Sequence, residues 1–353
     1  MSVKFAGVEL IPVREAHRFD EAALVRYLDE HFDGRGAGLK VSQFEGGQSN
    51  PTFLLETADG IYVMRKKPPG TLLPSAHAVD REFRVLSALR DSEVPVPETR
   101  LFCADESVIG TPFYVMQWVP GRVLTDPLLP GLPAEERHAL YLHFAEVMAA
   151  LHTVDYAAVG LADFGRAGNY YARQLARWSK QYKASETEHI EAMERLIEWL
   201  PANIPADDET AVVHGDFRLG NCIVHASEPR IVAVLDWELS TLGHPLGDLA
   251  YACMGYHADT GHTGSFLDVD FDATGIPSEA AFTRHYCRHA GREALPDWTY
   301  HVAFALFRMA AIVQGVYKRG LDGIAASARA TGFKDVCRLR AEQAWRLLRE
   351  AGS

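Results

Sequence analysis

Hydrophobic residues recur along the chain at strand-like intervals first and at helical intervals later. The first third predicts a helix over 18–31 and then short strands separated by turns rich in glycine, proline and aspartate. The strands predicted there are 39–45, 53–57, 61–65, 99–103 and 112–118. One further helix is predicted over 77–89, because its apolar residues are spaced three or four apart.

The rest of the chain is predicted to be mainly helical. The helices predicted there are 133–152, 170–182, 188–200, 298–317 and 333–351. The helix over 298–317 is apolar but contains Arg308 and Gln314. Since buried polar groups need partners, these two residues either bond the catalytic region or line a binding pocket.

Residues 211–238 interrupt the helical part with short runs rich in valine and isoleucine, typical of buried strands. A strand over 211–213 and a hairpin with arms 222–225 and 230–234 are predicted. Polar residues stand where these strands end: His214, Asp216, Asn221 and Asp236. Three of these offer oxygen ligands, which suit Mg²⁺ and a triphosphate.

The spacing His-x-Asp-x4-Asn, followed by an aspartate after a second strand, is typical of a kinase catalytic loop and metal loop. Asp216 would orient or deprotonate an acceptor hydroxyl, and Asn221 and Asp236 would hold Mg²⁺. Arg218 is placed to reach the transferring phosphate. The competing interpretation is a polar loop beside an ordinary buried hairpin, in which Asp216 only caps a turn.

The motifs HGDFRLGN and LDWE resemble the aminoglycoside phosphotransferase and choline kinase superfamily, which is related to the protein kinases. The segments GGQSNPTFLL, YVMRKKPPG, REFRVLSAL and FRMAAIVQGVYKRG are similar to the branch that is fused to acyl-CoA dehydrogenases. The resemblance extends from about residue 35 to 350. It implies an α+β, two-lobed protein-kinase-like fold, with a small antiparallel sheet and a helix in 1–118 and a larger, mainly helical lobe in 119–353.

The resemblance also implies where ATP binds. Backbone groups and short side chains of a glycine-containing loop would contact its phosphates, and these residues are Gly46, Gly47, Gln48, Ser49 and Asn50. Arg65 would be the phosphate-contacting cation, with Lys67 as its competitor, and Glu82 would pair with that cation. Lys66 is expected to be a solvated charge. The adenine would meet the backbone of the hinge, for which the candidates are Gln117, Trp118 and Val119.

Two more carboxylates are expected to support the catalytic loop. Asp248, twelve residues beyond Asp236, would accept hydrogen bonds that fix the loop. Glu238 would join the metal shell or cap its own loop. His152, at the end of a predicted helix, is interpreted as structural rather than as a ligand.

The composition of the chain argues against several other classes of function. The chain has 353 residues, 48% of them hydrophobic and 23% charged, and a net charge of −12 argues against a nucleic-acid surface. Its five cysteines are scattered without paired spacing, which predicts reduced thiols.

With no leader and no membrane span expected, a cytoplasmic protein is predicted. The oligomeric state is left open.

The acceptor stays open between two classes of small molecule. The resemblance favours a hydroxyl on an acyl-CoA, for which Arg173, Arg177, Arg308 and Lys318 could supply cations. An aminoglycoside or amino-alcohol would instead use acidic residues, such as those in 259–272. A module that binds nucleotide without turnover is the third interpretation, and Arg65 in place of the commoner lysine is the departure that allows it.

Overall fold

The computed structural model describes residues 3–5, 8–45, 50–68, 78–258, 265–323 and 328–352. Contacts divide the chain into two compact units. The first comprises Met1–Thr125, Val159–Leu161 and Leu219–Ser240; the second comprises Asp126–Ala158, Ala162–Arg218 and Thr241–Ser353. The first unit thus extends beyond the predicted boundary at residue 118 and takes in a hairpin segment that the sequence assigned to the second lobe.

Twelve strands occur in the described part of the chain. They are β1 (Val3–Phe5), β2 (Val8–Ile11), β3 (Lys40–Phe44), β4 (Thr52–Thr57), β5 (Gly60–Lys66), β6 (Thr99–Cys103), β7 (Phe113–Gln117), β8 (Arg122–Val123), β9 (Ala211–Val213), β10 (Cys222–Val224), β11 (Ile231–Val234) and β12 (Thr241–Gly243).

Eleven α-helices occur in the same described ranges. They are α1 (Glu21–His31), α2 (Val79–Leu89), α3 (Glu106–Ile109), α4 (Ala134–His152), α5 (Tyr170–Ser185), α6 (Glu191–Ala202), α7 (Pro245–Cys253), α8 (Phe271–Thr274), α9 (Glu279–His289), α10 (Trp298–Leu321) and α11 (Val336–Glu350).

The first unit is built on a seven-stranded antiparallel sheet in the order β1-β2-β3-β4-β5-β7-β6. Leucines of α1 and apolar residues of β4, β5 and β7 form its core. Asp20 accepts the N–H of Ala23 and so caps α1, which fixes where this helix begins. A second, smaller sheet in the same unit has the order β11-β10-β8.

The second unit is a helical assembly around α10. Among the described residues, α10 alone is long and apolar enough to cross a membrane, but 83% of its apolar window is buried inside the protein. It packs against α5, α7 and α11, as the central helix of a helical core does. The short pair β9 and β12 runs antiparallel beside these helices.

The predicted fold class is confirmed in its architecture: the chain has an α+β fold with an antiparallel sheet and a larger helical part. The helices predicted from periodicity all occur, with ends within four residues of the prediction. All five cysteines are free thiols, as predicted.

Candidate active site

Arg65 lies at the centre of the first cluster of candidate residues, in the first unit. Its Nη1 atom lies 3.1 Å from Glu82 Oε2, and its Nη2 atom donates to Asp236 Oδ1 at 3.1 Å. Strand β5 supplies the arginine, α2 supplies the glutamate, and Asp236 follows β11. The planar guanidinium can bond two carboxylates at once, which a single ammonium cannot do with the same geometry.

Glu82 is fully buried and has several donors besides Arg65. Asn50 Nδ2 donates to Glu82 Oε1 at 2.5 Å, and the Tyr114 hydroxyl donates to Oε2 at 2.9 Å. Burial raises the pKa of Glu82 above its ordinary value, although Arg65, Tyr114 and Asn50 act to lower it. Burial also lowers the pKa of Arg65, but Glu82 and Asp236 outweigh it, so this guanidinium stays charged.

Asn221 and Asp236 lie at the open end of one hairpin. Cys222 of β10 pairs with Val234 of β11, and the Leu235 N–H donates to the Asn221 carbonyl at 2.8 Å. This register places Asn221 beside the residues that lead to Asp236. Asp236 has a φ of 68°, a left-handed conformation that is costly for a residue other than glycine and that clusters at functional sites. Its side chain is 36% exposed, so a ligand can reach it.

The other residues predicted to contact the nucleotide belong to the glycine-containing loop and to the hinge. Gly46, Gly47, Gln48 and Ser49 lie outside the described residues. Gln117 ends β7, and its N–H donates to the Glu98 carbonyl at 2.8 Å. The ring of Trp118 stacks on Phe44 with a centroid distance of 5.9 Å, and Val119 follows in the half-buried segment after the strand.

Lys66 corrects one expectation. It was expected to be solvated, but only 2% of the residue is exposed, and burial lowers the pKa of its ammonium group. Its Nζ atom lies 5.8 Å from the centroid of the Phe19 ring, in the range of a cation–π contact. Strand alternation explains the difference, because Arg65 faces the carboxylates and Lys66 therefore points to the other, covered face of the sheet.

The Arg65→Lys variant tests the two-carboxylate arrangement. We expect the free energy of unfolding to fall by about 2 kcal/mol, because one charged hydrogen bond in a buried site is lost. Denaturant unfolding measures this change. The control is Arg100→Lys, whose surface pair with Glu98 should be worth less than about 1 kcal/mol. Equal effects of the two substitutions would contradict a special role for Arg65.

Asp216 lies at the centre of the second cluster, in the second unit. Its Oδ2 atom accepts from Arg218 Nε at 3.2 Å, and its Oδ1 atom accepts a short hydrogen bond from the hydroxyl of Tyr251. Burial and the Asp216 charge raise the pKa of Tyr251 well above its ordinary value, so the hydroxyl keeps its proton and donates. The Asp216 side chain is 20% exposed, which leaves the carboxylate reachable.

Asp248 fixes the loop that carries Asp216. Its carboxylate accepts the backbone N–H of His214 at 2.5 Å and that of Gly215 at 2.8 Å. Burial alone would raise the pKa of Asp248, but His152, His214 and the Gly215 N–H outweigh it, and the pKa lies below its ordinary value. Gly215 has a φ of 82°, which glycine adopts without strain.

His152 has a structural place in this arrangement. Its Nε2 atom lies 3.6 Å from Asp248 Oδ2, and its Nδ1 atom bonds the Tyr286 hydroxyl at 2.8 Å. His214 is fully buried, and its Nδ1 accepts the N–H of Asp216 at 3.2 Å. Glu238 lies in the short 3-10 helix Trp237–Leu239 of the first unit.

Two further residues support the loop that carries Asp216, and of these only Arg308 was considered for such a place from the sequence. Tyr251 lies one helical turn beyond Asp248 on α7, so both side chains reach the same loop. The spacing of three residues was the available signal. Arg308 of α10 donates from Nη2 to the Gly215 carbonyl at 2.6 Å. Arg308 therefore bonds the loop that carries Asp216, which agrees with one of the two alternatives left open by the sequence.

Comparison with known proteins identifies the family. The model of the phosphotransferase enzyme family matches residues 40–293. The chain belongs to the phosphotransferase enzyme family. It is therefore a small-molecule phosphotransferase with a hydroxyl acceptor, as predicted. A Ralstonia eutropha crystal structure, described as a candidate aminoglycoside phosphotransferase, is 48% identical with a TM-score of 0.87; the match covers 94% of this chain and 99% of that one.

The predicted similarity to the branch fused to acyl-CoA dehydrogenases is confirmed. Acyl-CoA dehydrogenase family member 10 of Mus musculus is 46% identical over 95% of this phosphotransferase chain. The chain spans 32% of that relative's length, and 42% and 44% of the length of two related proteins, a probable acyl-CoA dehydrogenase of Arabidopsis thaliana and acyl-CoA dehydrogenase family member 11 of Pongo abelii. A complex of an aminoglycoside phosphotransferase with AMP-PNP and hygromycin B has a TM-score of 0.58 at 17% identity, covers 92% of this chain and 98% of its own, and shows the shared fold alone.

Proposed function

We propose that the protein transfers the γ-phosphate of ATP to a hydroxyl group of a hydroxyacyl-CoA. The observation that carries the proposal is Asp216, a reachable carboxylate whose two oxygens are each held by a donor. A catalytic base must be held in a fixed orientation toward its substrate, and a donor on each oxygen provides this. A turn-capping aspartate would need no such support from Tyr251 and Arg218.

In the proposed reaction, Asp216 binds the acceptor hydroxyl and takes its proton. The hydroxyl oxygen forms a bond to the γ-phosphorus while the bond from that phosphorus to the β–γ bridging oxygen breaks, and ADP leaves with the electron pair. Arg218 would lie near the charge that develops on the transferred group. The backbone bonds from His214 and Gly215 to Asp248 hold the base in place, so little reorganisation is needed during transfer.

Arg65, Glu82 and Asp236 would serve the nucleotide, with Asn50 and the hinge residues as further contacts. The spacing of His214, Asp216 and Asn221 in the sequence is that of a kinase catalytic loop and metal loop, which supports phosphoryl transfer. A distant structural relative binds the ATP analogue AMP-PNP, which supports a nucleoside triphosphate as donor.

The donor set at Asn221 and Asp236 fits Mg²⁺. An amide and a carboxylate offer the oxygen ligands that this ion prefers, and the exposed, left-handed Asp236 lies at the open end of the hairpin. When bound, Mg²⁺ supplies positive charge to the phosphates of the nucleotide. Glu238, two residues beyond Asp236, is the nearest further carboxylate in sequence.

The acceptor class is supported by a continuous row of contacts in the second unit. Tyr251 bonds Asp216, Arg308 lies over the Tyr251 and Trp178 rings at 5.8 and 5.7 Å, and Arg177 lies over Trp178 at 5.0 Å. Arg177 is exposed, so a cation lies at the outer end of this row. The phosphates of CoA are anionic and distant from its acyl group, which suits such an arrangement.

The other candidate cations, Arg173 and Lys318, already have partners within the protein. Arg173 donates to the carbonyls of Gly168 and Arg166, and Lys318 pairs with Asp322 at 2.5 Å. Of the acidic residues considered for a cationic acceptor, Asp270 caps the short helix α8 by accepting the Ala273 N–H. The main support for an acyl-CoA as the acceptor is the similarity to relatives in the acyl-CoA dehydrogenase family. We also propose a cytoplasmic location.

Mass spectrometry of product mixtures tests the acceptor. The protein is incubated with Mg·ATP and a panel of hydroxyacyl-CoAs, aminoglycosides and amino-alcohols. We expect the mass of one phosphate to be added to a hydroxyacyl-CoA and to no other class. A phosphorylated aminoglycoside or amino-alcohol would overturn the proposal of a hydroxyacyl-CoA acceptor. Bound ATP with no product from any class would favour a module that binds nucleotide without catalysing transfer.

The Tyr251→Phe variant tests how Asp216 is held. We expect kcat to fall about tenfold with little change in KM, because the base loses a donor that orients its carboxylate. Steady-state kinetics measures both constants. Tyr256→Phe removes a similar hydroxyl, which donates to the Pro277 carbonyl at 2.7 Å, and should leave kcat unchanged. An unchanged kcat in Tyr251→Phe would exclude this positioning role.

A further inference from the structure

Three side chains of types that can bind a metal ion lie together where helices α4 and α9 pack against each other. Glu146 lies on α4, and His285 and His289 lie one turn apart on the same face of α9. Their ligand atoms all lie within 4.8 Å of one another. The three residues belong to the second unit and share no member with the Asp216 cluster.

The distances suit a tetrahedral ion. His285 Nε2 lies 2.7 Å and His289 Nε2 lies 3.7 Å from the same oxygen, Glu146 Oε1. Ligands about 2.0–2.1 Å from a tetrahedral zinc ion are about 3.3 Å apart, and the two observed distances bracket this value. Small side-chain rotations would therefore bring all three ligands to one ion.

The chemistry of the ligands selects the kind of ion. Two imidazoles and one carboxylate suit zinc and similar borderline divalent ions, whereas Mg²⁺ prefers oxygen ligands only. Side-chain exposures of 36% for Glu146, 14% for His285 and 41% for His289 leave a route from solvent. Three protein ligands also leave a fourth position for water.

A comparison within the molecule shows why this group differs from a surface ion pair. Glu186, His189 and Glu194 form the other compact group of metal-ligand side chains among the described residues. Lys183 already pairs with Glu186 at 3.3 Å and with Glu194 at 2.5 Å, so a cation occupies that position. Glu146, by contrast, has only the two imidazoles as ionic partners in the described ranges.

We propose that Glu146, His285 and His289 form a binding site for Zn²⁺ or a similar borderline divalent ion. The ion ties the middle of α4 to α9. The hydrogen bond between His152 and Tyr286 joins the same two helices one to two turns further along α4, and His152 also contacts Asp248. The site is thus placed to stabilise the helix pair that supports the catalytic loop, and it does not depend on the proposed acceptor.

Calorimetric titration of the full, chelator-treated chain with zinc chloride, without Mg²⁺ or nucleotide, tests the site. Wild-type protein is expected to bind one ion, and His289→Ala and Glu146→Gln are expected to weaken binding at least tenfold. Zinc in excess should raise the thermal midpoint of the wild type by about 2–5 °C and that of the variants by less. His289 is partly exposed, so its replacement should not prevent folding.

Two controls separate this site from other zinc-binding groups. His189→Ala changes the group already paired with Lys183, and Asp236→Asn changes the proposed Mg²⁺ site; both should bind zinc as the wild type does. Absence of binding by the wild type would overturn the proposal. So would binding that persists in His289→Ala and Glu146→Gln, or that is lost in Asp236→Asn alone.

Discussion

The Asp216→Asn variant is expected to lose turnover by about 10²-fold or more while its affinity for nucleotide stays the same. The amide cannot take a proton from the acceptor hydroxyl, and its NH₂ group would face the Arg218 guanidinium. Its oxygen can still accept from Tyr251, so the loop should keep its conformation. Arg65, Glu82 and Asp236 keep their own ion pairs, which is why nucleotide binding should survive.

Single-turnover kinetics and nucleotide titration of the same preparation check this expectation. Asp322→Asn is the matched control, because it makes the same chemical change at an exposed residue that pairs with Lys318. The control should retain full activity. If Asp216→Asn kept more than a tenth of the wild-type rate, Asp216 would not be the base and the proposed mechanism would fail.

Local pattern was sufficient to predict most of the helices and strands. Helices α2, α4, α5 and α10 begin within two residues of their predicted starts, since each has a regular apolar spacing. Helix α9 was not predicted, although Ser278 caps it by accepting the Ala281 N–H. Its polar sequence, with four cationic or histidine residues in the last two turns, gives a weak apolar pattern, and its position depends on packing against α4.

Candidate residues within one motif were easier to predict than their partners. His214, Asp216, Asn221 and Asp236 stand in one short segment, so their spacing could be compared with known catalytic loops. The hydrogen bond between Arg65 and Asp236 joins residues separated by 171 positions, and no local rule predicts it. Only the resemblance placed Arg65 near phosphates and paired it with Glu82, and it gave no indication of the second carboxylate, Asp236.

Lys66 shows a different limit. Three consecutive cations in YVMRKK look equally polar in sequence, yet strand alternation and the Phe19 ring make Lys66 a buried residue. Whether a long side chain is buried depends on which residues cover its face of the sheet. For Lys66 the covering ring belongs to Phe19, which is distant in the sequence. The same holds for Arg308, which donates to a carbonyl group 93 residues earlier in the chain and lies over the rings of Trp178 and Tyr251.

The Asp248→Asn variant is expected to lose about 2–4 kcal/mol of the free energy of unfolding, together with most of the activity. Asp248 accepts two backbone N–H groups in a buried site, and an asparagine would turn an NH₂ group toward one of them. The backbone of His214 and Gly215 would then have to move, and Asp216 with it. Asp272→Asn, at an exposed position of α8, is the control and should change stability by less than about 0.5 kcal/mol.

The pH dependence of the same pair of proteins gives an independent check. Because the folded-state pKa of Asp248 lies below its ordinary value of 3.8, its carboxylate contributes stability above about pH 4 and loses this contribution as pH falls further. Asparagine does not titrate. The difference in unfolding free energy between wild type and Asp248→Asn should therefore be constant from pH 5 to 7 and should shrink below about pH 4. A difference that stayed constant down to pH 2 would mean that the charge of Asp248 does not hold the catalytic loop.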